Sequence, residues 1–237
     1  MDFNKFTDKE KNKAGRVAGI MLLCSLLVPA LNWAFILSKF VMPENVISTA
    51  QNILSEKMLF RINIINELIS GVVIVLLAIS LYLILKSINK HLGLIALILK
   101  LVGAFLTFVI AFMHLIVLQV LSNLSFFTAA NQEQVKALIG VFLNNHILLT
   151  SIPGMFLGLS MSIFLYLLLK SKYIPNILAS FGLVSYVLIF IYDLLFFFSP
   201  TYSSIPIIQI IGWGPNVLFV LITGIWLMIK GLNIQKI

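Results

Sequence analysis

The chain has 237 residues, of which 61% are hydrophobic and only 10% charged. Soluble domains carry about a quarter charged residues, so this chain cannot coat a water-exposed globule, and its solvent must largely be lipid. The net charge of +8 does not point to nucleic acid, because the 16 Lys and Arg residues mostly sit in short runs beside apolar segments, as membrane topology signals do.

Residues 1–16, MDFNKFTDKEKNKAGR, are polar and basic, and are expected to be frayed or to form a short interfacial helix. Six apolar segments follow, at about 17–38, 60–85, 93–120, 146–169, 174–198 and 206–229. Each is close to the roughly 20 residues that span a bilayer core. A backbone crossing lipid must satisfy its own hydrogen bonds, so helices are expected. The expected fold class is therefore all-α integral membrane: a six-helix bundle as one domain over 17–229, with a short tail at 230–237.

The first apolar run is too long for a signal-peptide core and no small-x-small site follows it, so a retained signal anchor is expected. The single cysteine, Cys24, rules out an intrachain disulfide and any cysteine-based metal cluster. Pro175 follows the short turn 170–173 and suits the first turn of the fifth span.

Between the spans, 43–58 and 131–145 repeat apolar residues at helical spacing: Val46, Ile47, Ala50, Ile53, Leu54, then Val135, Leu138, Ile139, Phe142, Leu143. Asn131 followed by Gln134 resembles a capping box. Two short amphipathic helices are expected there, lying on the outer membrane surface or across the bundle mouth. They act either as spacers with apolar faces in lipid or as lids over a pocket.

Alternate loops divide the basic residues unequally, eleven of the sixteen Lys and Arg on one side against three on the other. The bias predicts cytoplasmic N- and C-termini in a cell (inner, cytoplasmic) membrane. Leu81–Ser87 (LYLILKS) closely matches Leu165–Ser171 (LYLLLKS), and Ile225–Gly231 (IWLMIKG) is a weaker third copy. Three parallel hairpin repeats would give this echo, and so would shared selection at the interface.

Polar residues inside the spans are costly, about 2.5–3.5 kcal/mol for a charge, so they face partners or cavities. In the second span Asn63, Glu67, Ser70, Gly71 and Ala78 share one face. Lys100, Gly103, Ala104, Thr107, Ala111 and His114 do so in the third. Asp193 aligns with Ala179, Gly182 and Tyr186 in the fifth, and Asn216 with Gln209, Gly212 and Thr223 in the sixth. The first offers Asn32, and the fourth carries the small-residue row Gly154, Gly158, Ser162.

Counted from the outer ends, Glu67, His114 and Asp193 lie roughly 8–10 Å deep. They define an expected outer polar cluster with Asn32, Asn63 and Asn216. Arg61 and His146 stand at the outer boundary as counter-charges, while Lys100 lies alone in the inner half and is expected to snorkel toward the cytoplasm. Such a cluster suits a proton, a cation or a small solute, or it serves only to specify helix packing.

Enzyme chemistry is poorly served, with no HExxH, no G-x-S-x-G and no Gly-rich phosphate loop. The pattern faintly resembles seven-helix membrane hydrolases with three histidines, but His91 sits at the far end of its span. No cofactor is implied and no metal site is assigned. The expected partners are membrane lipid, a small solute or ion, and a membrane protein or second copy. The leading expectation is a binding or transport-like module. The alternatives are a non-catalytic accessory subunit and an intramembrane hydrolase.

Several short motifs recur in order along the chain: Gly15-Arg16-Val-Ala-Gly19, Leu59-Phe60-Arg61 with Glu67, the Leu-Tyr-Leu helix end with Lys86, Leu101-Val102-Gly103, Tyr192-Asp193 and Pro215. In these the chain resembles the bacterial six-helix membrane family known as domain of unknown function 4386. The resemblance implies the architecture and a bacterial inner-membrane setting, with an acidic residue in the second span and Asp193 as recurring polar positions. It implies no activity.

Overall fold

The computed structural model describes residues 7–41, 45–123, 129–144, 146–199 and 205–234. Within the helices, side chains at 46, 129–130, 138, 140–144 and 146–148 lie outside the described set. So do residues 1–6, Pro43 and Lys236, together with the side chains of Val46, Leu138, Phe142, Leu143 and His146 named above.

The first helix, α1, runs Asp8–Phe35, well before the apolar stretch begins. A capping box sets its start. Thr7 Oγ1 accepts from Glu10 N at 3.3 Å, and the Glu10 carboxylate accepts from Thr7 N at 2.8 Å. The basic segment is thus neither frayed from Asp8 onward nor a separate interfacial helix, but the first turns of the first span. A 3-10 turn, Leu37–Lys39, ends that span.

The other spans are α3 (Lys57–Leu85), α4 (Lys90–Ser122), α6 (His146–Ser171), α7 (Asn176–Phe198) and α8 (Pro206–Lys230). Asn89 caps α4 through Leu92 N at 3.0 Å. Pro206 opens α8 at its first helical position, where a missing N–H costs nothing, and Pro175 stands one residue earlier than the first turn of α7, as its N-cap. Six helices are long and apolar enough to cross a membrane, and no strand occurs among the described residues. The chain is an all-α membrane bundle.

The six spans form a ring in chain order, α1–α3–α4–α6–α7–α8, with α8 returning to α1. That closing contact is tight, because a Cβ on Gly19 of α1 would stand 2.9 Å from Gly224 O of α8. Beyond α8 the chain is also pinned. Leu232 N donates to Asn12 Oδ1 of α1 at 2.9 Å, and Asn233 N donates to Tyr173 O at 2.8 Å.

The helix surfaces are inverted relative to a soluble protein. On α3, Ile62, Ile65, Ile69, Val72 and Leu76 are exposed, while Asn63, Glu67, Gly71 and Ala78 are buried. Two cores hold the ends. One joins Leu81, Leu85, Leu165, Leu168, Ala179 and Leu227, so all three copies of the sequence echo meet at the basic end.

The other core sits at the opposite end. There α2 (Val46–Ser55) and α5 (Ala129–Asn144) pack on each other, and α2 also lies against α3 and α4. Ala50, Ile53 and Ile139 are buried among Phe40, Phe60, Leu118 and Leu121. Ala50, Ile53 and Ile139 thus face protein, and through them the two short helices cap this end of the bundle. Helix α5 begins at Ala129, which places Asn131 inside its first turn rather than at the cap.

Candidate functional site

Residues four apart on a helix stand one above the other on one face. Helix α3 thereby presents Asn63 and Glu67 inward as a pair. Asn32 of α1 reaches Asn63 from one side, its Nδ2 donating to Asn63 Oδ1 at 2.7 Å. On the other side, His114 of α4 places Nδ1 2.9 Å from Glu67 Oε2. A carboxylate oxygen only accepts, so this imidazole nitrogen carries the proton and donates it. Asn63 Nδ2 completes the set, donating to Glu67 Oε1 at 3.5 Å. Asn63 and His114 are fully buried, and the Phe60 ring packs tilted against the imidazole with centroids 5.7 Å apart.

Beside this network lies a cavity of about 300 Å³. Its walls come from five of the six spans: Pro29, Asn32 and Trp33 on α1, Asn66, Glu67 and Ser70 on α3, Lys100, Gly103 and Thr107 on α4, Pro153 and Gly154 on α6, and Trp213 on α8. The α4 wall runs from Lys100 to Ile110, which at 1.5 Å per residue makes the cavity roughly 15 Å long. Most of the lining is apolar. The Ser25, Ser70 and Thr107 hydroxyls donate back to carbonyls of their own helices. Glu67 stands toward the capped end and Lys100 toward the basic end.

Lys100 does not snorkel. Only 2% of it is exposed, it lines the cavity, and it makes no ion pair with any described residue. Its neighbours at Gly103 and Ala104 belong to the inward face of α4, and that face, more than depth, decides where the ammonium goes.

Asn32, Asn63, Glu67 and His114 are therefore brought into contact. Asp193 and Asn216 are not part of that network. Asp193 of α7 packs its carboxylate against Gly154, where any Cβ would collide with Oδ2. Gly154 thus stands between Asp193 and the cavity it lines. Asp193 Oδ2 finds no hydrogen-bond partner among the described residues. Asn216 of α8 is buried, and its Nδ2 finds no hydrogen-bond partner among the described residues.

Arg61 is exposed and turned toward Met58 Sδ, 3.8 Å away, so His114 rather than Arg61 is the partner of Glu67. The side chain of His146 lies outside the described residues. Among the described residues no three His, Cys, Asp or Glu side chains converge. The row Gly154, Gly158 is spent inside the bundle, facing Asp193, Phe190 and the Tyr186 carbonyl of α7.

Sequence reasoning missed Asn66, Trp33 and Trp213. Asn66 lies three residues from Asn63 and four from Ser70, a second polar row beside the first that spacing alone could have revealed. The two tryptophans carry no such mark, since aromatic residues are common throughout membrane helices.

A family model described as Domain of unknown function (DUF4386) matches residues 17–231. No curated protein and no solved structure matches the chain.

Proposed function

The chain belongs to the DUF4386 family, and from its geometry we propose that it is a binding or transport-like membrane module for a small solute, ion or lipid. One observation carries this reading: a cavity of about 300 Å³ between the spans, lined by Glu67, Asn66, Asn32 and Lys100. Buried ionisable groups in membrane helices are retained at an energetic cost, and a cavity gives them something to act on. The size is at the small end of ligand pockets, roughly 300–1,000 Å³. In this reading the charge bias supports a cytoplasmic basic end in a bacterial cell membrane, with the capped end turned outward.

The accessory-subunit reading is weaker. Its motive was a small-residue row available to a partner, and Gly154 and Gly158 already face α7.

The test is native mass spectrometry of protein released from mild detergent, paired with Lys100→Met. A bound small molecule that the variant loses while keeping its folded yield supports the module. A wild-type spectrum with no adduct, under conditions that preserve lipid contacts, counts against it.

A further inference from the structure

We propose that the cavity takes a single-tailed amphipathic anion, with its carboxylate on Lys100 and its tail along the apolar wall. This rests on the cavity reading above and names the ligand class.

The two charged groups in the cavity are in different situations. Glu67 already has donors, with His114 Nδ1 at 2.9 Å and Asn63 Nδ2 at 3.5 Å. Lys100 is as deeply buried, projects into the same space, and pairs with no acid among the described residues. An ammonium held away from water is stabilised chiefly by an anion within hydrogen-bond reach. The bundle supplies Glu67 with hydrogen-bond donors at one end of the cavity and gives Lys100 no acid among the described residues at the other.

The remaining walls select the rest of the ligand. Ile74, Ile110, Leu157 and Pro153 offer no polar group toward the cavity. The hydroxyls of Ser70 and Thr107 are turned back to their own helices. An inorganic anion would leave that surface empty, and a volume of about 300 Å³ is too small for a two-tailed phospholipid. One ammonium balances one negative charge, which favours a carboxylate over a phosphate dianion.

The experiment uses the purified full chain in a non-ionic detergent and follows thermal stability against three eight-carbon probes: octanoate, octanol and octylammonium. The expected result is that octanoate binds at least about tenfold tighter than octanol, the worth of one charge-assisted hydrogen bond, with octylammonium weakest. Lys100→Met should remove the octanoate preference and leave octanol binding in place. Should that variant fail to fold, the wild-type comparison of the three probes decides alone. Equal binding of octanoate and octanol would overturn the anion assignment and leave the cavity reading intact. No binding of any probe, together with a native mass spectrum free of adducts, would overturn both.

Discussion

His114 Nδ1 and Glu67 Oε2 meet at 2.9 Å across the α3–α4 interface, with the imidazole wholly enclosed. Removing the imidazole leaves a buried carboxylate with only the longer Asn63 hydrogen bond, at 3.5 Å, and losing a hydrogen bond to a charged group costs about 1.5–3 kcal/mol. His114→Ala should therefore lower unfolding stability by that amount. Glu67→Gln keeps an acceptor for Nδ1–H and should cost about 1–2 kcal/mol, the difference between a charged and a neutral hydrogen bond. Chemical unfolding in detergent measures both, and equal losses would mean the pair is not coupled as described.

Lys100 points the other way. Replacing a buried, unpaired ammonium by an apolar side chain of similar length removes a desolvation penalty. Lys100→Met should raise the melting temperature of the ligand-free protein, by several degrees for roughly 1 kcal/mol or more. A fall would show that an unrecognised partner holds Lys100. Stabilisation on removing a residue is what a functional group kept at a cost produces.

The α6–α7 contact makes a graded prediction. Alanine at Gly158 would push a Cβ within 2.9 Å of Phe190 N and Tyr186 O, both backbone atoms that cannot yield. Alanine at Gly154 collides with the Asp193 carboxylate, a side-chain group that can turn aside. Gly158→Ala should cost about 1–3 kcal/mol, and Gly154→Ala less. Gly214 has only ordinary contact with Ile210, at 3.6 Å. Pro215 follows directly and its ring crowds a Cβ on the preceding helical residue, which offsets the propensity gain, so Gly214→Ala should stay within about 0.5 kcal/mol. Melting temperatures of the three variants test the order.

The capping helices supply a fourth test. Ile53 is fully buried between α2 and the ends of α3 and α4, whereas Ile47 of the same helix is 37% exposed. Ile53→Ala should cost about 2–5 kcal/mol, and Ile47→Ala should stay within about 0.5 kcal/mol. Hydrogen exchange at α2 and α5 should rise with Ile53→Ala alone. An equal response to both would mean the cap is not docked through this face.

The spans were readable because hydropathy reports on them directly, and α6 to α8 fall close to their expected limits. The start of α1 was not, because Thr7 and Glu10 set it with hydrogen bonds inside a polar stretch where hydropathy is silent. The network around Glu67 was legible through helical spacing. Asn63, Glu67 and His114 each sit on the small-residue side of their helix, and that side turned inward. Asp193 shows where such reading stops. Depth along the membrane normal was the basis for grouping Asp193 with Glu67 and His114, and depth says nothing of position around the ring. Helix order puts α7 beyond α6, with Gly154 between Asp193 and the cavity. Lys100 fails the snorkelling expectation for a related reason: the expectation used its distance from the interface, and its helix face decided the outcome.

The closed ring also sets an order of events during synthesis. Helix α1 borders α8, and Trp213 of α8 is part of the cavity wall. Until α8 is made, α1 has one flank open to lipid, and the polar lining at Asn32, Glu67 and Lys100 lacks its last wall. The Leu232–Asn12 bond then latches the end of the chain to its first helix. A nascent chain halted before residue 206 would therefore hold buried charges beside an unsealed gap, a target for membrane quality control. Assembly of this protein is completed at its seam.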